Sequence, residues 1–274
     1  MKNRVFYTVV AIVLLVGISL VLYPSVSDYW NQHHQSQLLA SYSDDVGQLE
    51  EKDYKKVIEN AKEYNKSLAD NPVDFTLNDY QKAVYDDLLN VSGNGIMGYV
   101  EIPSVNCTAP IYHGTDESVL QIAIGHLEWT SLPIGGKNTH CVISGHRGLP
   151  SARLFTDINK LAEGDVFILR VLDEPIAYEV DRILIVEPEN TKPLEIVEGM
   201  DYCTLMTCTP YGVNTHRLLV RGHRIKYTEA QEILVVADAN LIKPQIIAII
   251  IGFPTYIAVM ILILIFSDKN KKKR

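Results

Sequence analysis

Apolar and polar positions follow three rhythms along the chain. Val5 to Tyr23 (VFYTVVAIVLLVGISLVLY) and Ile246 to Phe266 (IIAIIIGFPTYIAVMILILIF) are continuous apolar runs with no charged residue. About 20 apolar residues rising ~1.5 Å each cross the ~30 Å hydrocarbon core of a bilayer, so each run predicts a membrane span. Pro254 lies inside the second run, where a membrane helix tolerates it. A helical rhythm follows the first run. From about Asn31 to Ala69, Tyr54, Val57, Ile58, Ala61, Tyr64 and Leu68 recur every three to four residues with charges between them. Asn71-Pro72 breaks that pattern. Asn78 to Leu89 predicts a second helix, with Asn78 as its cap and Tyr80, Val84 and Leu88 on one face.

From Gly98 the rhythm shortens to β-rich runs between turn residues: MGYVEI, APIYH, HCVISG, DVFILRV, AYEVDRILIVE, YCTLMTC and HRLLVRGHRI. That spacing predicts a mainly β domain, a barrel or a sandwich, with a short helix at Ser118 to Ile124. The expected divisions are an anchor (1–24), a helical region (25–97), the β domain (98–227), a linker (228–245), a second span (246–266) and a basic tail (267–274).

Charge sets the orientation. Lys2 and Arg4 precede the first run; Lys269, Lys271, Lys272, Lys273 and Arg274 follow the second. Basic flanks favour the cytoplasm, so both termini are expected inside and the body between the runs outside. A cleaved signal peptide is the alternative for the first run, with Ser25-Val26-Ser27 as small-residue cleavage site; the second run would then be the tether. The net charge of −8 with no basic patch argues against a nucleic-acid partner. Four cysteines, Cys107, Cys141, Cys203 and Cys208, are too few for a disulfide framework. A Cys107–Cys141 bridge stays open at this point.

The candidate chemistry collects at strand ends. In YCTLMTC, alternation puts Tyr202, Thr204, Met206 and Cys208 on one face and Cys203, Leu205 and Thr207 on the other. Pro210 stops the strand, leaving Cys208 beside a loop. The next strand starts at Arg217; if the two pair as neighbours, Arg217 lies near Cys208. A guanidinium there lowers a thiol pKa and can bind an oxyanion. His146 ends a third apolar run. A thiolate nucleophile with a nearby histidine meets the needs of amide cleavage, although a strand-end cysteine is more often a small buried hydrophobe than a nucleophile. His216 should face away from Arg217, and His33, His34, His113, His126, His140 and His223 read as surface or satisfied core. Zinc on Cys203, Cys208, His216 and His223 is not expected, because the spacings and strand faces are wrong. No cofactor is implied.

With those residues in place, the chain resembles the sortases, and among them the class C, pilus-assembling sortases. TLMTCTPYGVNTHRLLVRGHR (Thr204 to Arg224) is similar to the sortase TLxTC motif and its arginine strand. Gly125 to Leu161 is similar to the class C histidine region, and Glu101 to Thr115 also fits; the match covers roughly Gly98 to Lys226. The resemblance implies an eight-stranded β-barrel with accessory helices and two membrane segments. It implies Cys208 as nucleophile, His146 as general acid and base, Arg217 as substrate and oxyanion binder, and Thr207 as a substrate-positioning residue. The implied reaction cleaves an LPxTG-like signal between Thr and Gly through a thioester. It then joins the acyl group to a lysine of a pilin. Anchoring of surface proteins to a cell-wall amine is the alternative acceptor chemistry, and a non-catalytic binding domain is a third reading. A papain-like protease does not fit, since its local signature is absent. Class C members carry a lid with an Asp-Pro-aromatic motif. Here Asn71-Pro72-Val73-Asp74-Phe75 stands in that region, with Asp74 expected to reach Arg217 and Phe75 to cover Cys208, but without the intervening Pro.

Overall fold

The structure, a computed structural model, describes residues 2–70, 77–172, 174–228 and 230–231. Asp74 and Phe75, the second apolar run and most of the expected linker lie outside the described residues. The described residues fall in one unit, Met1–Ile233.

Helix α1 spans Lys2–Gly47 and runs unbroken through Pro24 and Ser25 to Ser27. Among the described residues it is the one helix long and apolar enough to cross a membrane, with a mean hydropathy of 1.7 in its most apolar window and none of that window buried. The single helix expected from Asn31 to Ala69 is two helices. Gly47, a poor helix former, ends α1, and Gln48 and Leu49 donate back to Asp45 and Val46. Helix α2 then covers Glu51–Asp70 and α3 Asp79–Asp87. Asn78 caps α3 as expected: its side chain accepts from Gln81 N, and the Gln81 side chain accepts from Asn78 N, each at 2.9 Å.

Eight strands follow: β1 Ile96–Ile102, β2 Cys107–His113, β3 Ile124–His126, β4 Thr139–Ser144, β5 Val166–Val171, β6 Glu174–Val186, β7 Asp201–Thr209 and β8 His216–Ile225. They close into a barrel in the order β1-β2-β3-β4-β7-β8-β6-β5. The β2–β3 and β4–β7 pairs are parallel and the others antiparallel. The helix expected at Ser118 to Ile124 is shorter and starts earlier, α4 Glu117–Leu120, and Ile124 belongs to β3.

Alternation sorts the side chains. Cys141 and Ile143 of β4, Cys203 and Leu205 of β7, and Leu218 and Val220 of β8 fill the barrel interior with Phe155, Phe167 and Tyr178. Each fully buried aliphatic chain there contributes about 2 kcal/mol of transfer free energy. On the outer face Val142, Met206 and Leu219 pack with Leu127, Trp129 and Leu194. The helices cover another part of the barrel, with Tyr42, Ala61, Tyr85 and Leu88 against Ile96, Met97, Leu132 and Leu172. Polar bonds fix this layer. The Tyr42 hydroxyl donates to Met97 O and accepts from Leu172 N, both 2.9 Å. Asn65 donates to Leu132 O at 3.2 Å and accepts from Leu132 N at 2.7 Å. Tyr85 meets His126 Nδ1 at 2.8 Å, and the His126 Nε2–H donates to Ser131 O at 2.8 Å.

Candidate active site

Register brings the three candidate residues to one strip of the barrel wall. In the β7–β8 pair Cys208 stands directly opposite Arg217. Cys203 and Leu205 point into the core, as do Leu218 and Val220. Cys208 and Arg217 have the opposite parity and therefore share the outer face. On the other side of β7, Ser144 pairs with Met206, and the pairing continues as Gly145 N donates to Met206 O at 3.1 Å. Continued past the end of β4, the same register carries His146 to the level of Cys208, on the parity of outward Val142. Cys208 is thus flanked by the turn after β4, which carries His146, and by Arg217 of β8.

The histidine turn is closely fitted. A Cβ on Gly145 would stand 2.5 Å from Ile124 Cδ1 and 2.9 Å from the Phe155 ring, so any larger residue would have to displace both side chains. The Thr207 hydroxyl donates to Gly145 O at 2.7 Å. Thr207 is buried on the inner face of β7, so its hydroxyl engages the backbone next to His146. Phe155 N donates to His146 O at 3.2 Å and closes the loop between them. Arg147 Nη1 donates to Thr209 Oγ1 at 3.2 Å and its guanidinium lies over the Tyr211 ring at 5.9 Å, tying this loop to the end of β7.

His146 Nε2 is buried without a hydrogen-bond partner. Its nearest charged oxygen is Glu117 Oε2, 3.7 Å away at the start of α4. Gln121 Nε2 donates to the other oxygen of Glu117 and orients the carboxylate. Neither residue stood out in the sequence, because an acidic residue in the first turn of a helix is ordinary there. Arg217 Nη1 donates to Asn214 O and His216 O, both at 3.3 Å, which holds the guanidinium at the mouth of the β7–β8 loop.

The other cysteines have different surroundings. Cys141 and Cys203 stand side by side in the barrel core, and burial pushes the Cys203 thiol well up. Burial likewise raises Cys107 to about 12, and its thiol donates to Leu154 O. All four cysteines are free, so the Cys107–Cys141 bridge is not formed. Cys208 is half-buried on the outer face, at the end of β7 beside the loop that follows it. His126 and His140 are buried and satisfied, and half-buried His113 bonds Gly95 O and Leu88 O, whereas His223 Nδ1 is buried with no hydrogen-bond partner and departs from the surface or satisfied-core reading.

A family model, the sortase domain, matches residues 100–225. The chain is 50% identical to the crystal structure of sortase C1 from Streptococcus agalactiae, with a TM-score of 0.68 over 69% of this chain and 98% of that one. It is 41% identical to sortase C of Clostridium perfringens solved with the C-terminal cell wall sorting motif, with a TM-score of 0.62 over 70% of this chain and 99% of that one. It is also 29% identical to sortase D of Bacillus subtilis over 131 residues, a match that spans 47% of this chain and 63% of that protein's length.

Proposed function

The chain belongs to the sortase family, and from that membership we propose that it is a membrane-anchored cysteine transpeptidase of the class C, pilus-assembling type. The observation that supports this most is Arg217 directly opposite Cys208, with the β4–β7 register leading on to His146 on the other side. Cys208 Sγ attacks the threonine carbonyl carbon of an LPxTG-like signal. The resulting oxyanion faces the Arg217 guanidinium, and the glycine amine leaves with a proton from His146. A lysine amine of a second pilin then attacks the thioester, gives its proton back through His146, and releases the Cys208 thiolate as an isopeptide bond forms. For the amine to outcompete water it must be positioned and the thioester sheltered. A structural neighbour solved with a sorting motif supports the donor class. The two uncharged runs and their basic flanks support a multi-pass anchor with both termini in the cytoplasm and the barrel outside.

The test is mass spectrometry of the protein with an LPxTG-type peptide. The wild type should gain the mass of the acyl fragment and Cys208→Ala should not. An adduct on the alanine variant, or none on either, would overturn the assignment. Offering a lysine-bearing pilin and a peptidoglycan stem mimic side by side then identifies the acceptor; exclusive use of the stem amine would replace pilus assembly with wall anchoring.

A further inference from the structure

The course of α1 relates the barrel to the bilayer. The apolar run ends at Tyr23, and Tyr23, Tyr29 and Trp30 are all exposed on the helix just beyond it. Exposed Tyr and Trp at the end of an apolar helix mark the headgroup level. Bonds between α1 and the loop before β5 occur at this level. Ser27 Oγ and Asn31 Nδ2 donate to Ser151 O, and Asp28 Oδ1 accepts from Arg153 N at 3.0 Å. Four residues of helix separate Tyr23 from Ser27, a rise of about 6 Å. Further along, Gln35 bonds Ile122 O, and Tyr42 bonds Met97 and Leu172.

Strand directions tell which end of the barrel this is. β4 and β7 run in parallel toward His146 and Cys208, and β8 leaves from the same end at Arg217. β2 runs the other way, parallel to β3, which is antiparallel to β4, so Cys107 at the start of β2 lies toward the end where Cys208 sits. Cys107 bonds Leu154, in the loop that α1 touches, whereas Met97 at the start of β1 lies toward the other end. Going outward from the membrane, α1 therefore passes the catalytic end before the far end. The contact loop is the one that carries His146. Ser151 is five residues from His146, at most about 18 Å even if fully extended. Exposed Tyr211 and Val213, in the loop between β7 and β8, lie on the same end.

We propose that α1 holds the catalytic end of the barrel against the lipid headgroup surface, so that the enzyme acts on polypeptides emerging from the same bilayer. The partner of this end is a lipid surface, continuous with the surface that α1 enters. The proposal rests on the membrane-anchored transpeptidase reading above.

Two measurements on the full chain in vesicles test it. The first inserts an eleven-residue helical spacer between Tyr23 and Ser27, which keeps the helical phase and lifts the barrel by about 16 Å. The rate on a soluble sorting peptide should stay within about twofold, while the rate on the same signal carried by a membrane-spanning helix should fall about tenfold or more. Equal rates on the tethered substrate with and without the spacer would overturn the proposal. A wild type inactive on both substrates would instead sink the transpeptidase reading. The second needs no activity and covers a spacer that misfolds. A fluorophore on Val213→Cys, in a Cys208→Ala background, should be quenched by headgroup-labelled lipid, and one on Glu198→Cys, before β7 at the far end, should not. Quenching equal at both positions, or stronger at Glu198, would show that the catalytic end does not face the bilayer.

Discussion

Cys208 stands at the centre of its site because β7 has two neighbours that both end or begin where it ends. Arg217 comes from β8 and His146 from the turn just past β4, and neither needs a long loop to reach it. The two have unequal tolerance to change. Arg217 is held by two carbonyl bonds at 3.3 Å, and a lysine cannot reproduce its planar fork. Arg217→Lys should lower kcat/KM on a sorting peptide by about a hundredfold, the cost of removing one oxyanion donor; near-normal turnover would show that Arg217 is misassigned. Thr207 divides two roles. Its hydroxyl is engaged by Gly145 O, which holds the turn before His146. Thr207→Val should therefore lower kcat about tenfold with KM little changed, and remove about 1 kcal/mol of stability. Thr207→Ser, which keeps the hydroxyl, should restore both. A rise in KM alone for the valine variant would favour direct contact with the substrate.

At the level of elements, the helical layer is docked by a few buried polar pairs. Asn65, 3% exposed, satisfies both the N–H and the C=O of Leu132. Asn65→Leu would leave both backbone groups buried and unpaired, so it should lower stability by about 2–4 kcal/mol in urea unfolding. A change under 0.5 kcal/mol would mean that water replaces the amide. Several elements are legible in the sequence itself. Strand alternation separated Cys208 from Cys203, and the Asn78 cap began α3, because both rest on local rules of period and hydrogen bonding. β3 was missed because three residues with a central glycine carry no period; it exists because β2 and β4 lie on either side of it. Closure through β1 and β5 is likewise non-local, and the choice between barrel and sandwich came from family resemblance. Glu117 was invisible for a different reason: its proximity to His146 depends on where α4 packs, and its local setting is that of any helix start.

For the molecule as a whole, His140 ties folding stability to pH. Its Nδ1–H donates to Glu195 O at 2.9 Å, and its Nε2 accepts from the Thr204 hydroxyl at 2.7 Å, so the ring links β4, β7 and the segment before β7 in its neutral form. Burial, helped by nearby Arg221, holds its pKa down at about 4 against the opposing pull of the Glu195 carbonyl and Asp181. An exposed histidine in the unfolded chain titrates near 6.5. Between these values the unfolded state binds the proton and the folded state does not. The contribution is therefore complete above about pH 6.5 and is lost progressively as pH falls toward 4. A gap of about 2.5 units corresponds to about 3 kcal/mol, of which about 2 kcal/mol should be gone at pH 5. Urea midpoints of the full chain in detergent at pH 7.5 and pH 5 measure this loss. His140→Gln, which does not titrate here, should start less stable at pH 7.5 and show a smaller drop by about that amount. If wild type and variant lose equal stability between the two pH values, the acid sensitivity of the fold lies elsewhere than at this ring.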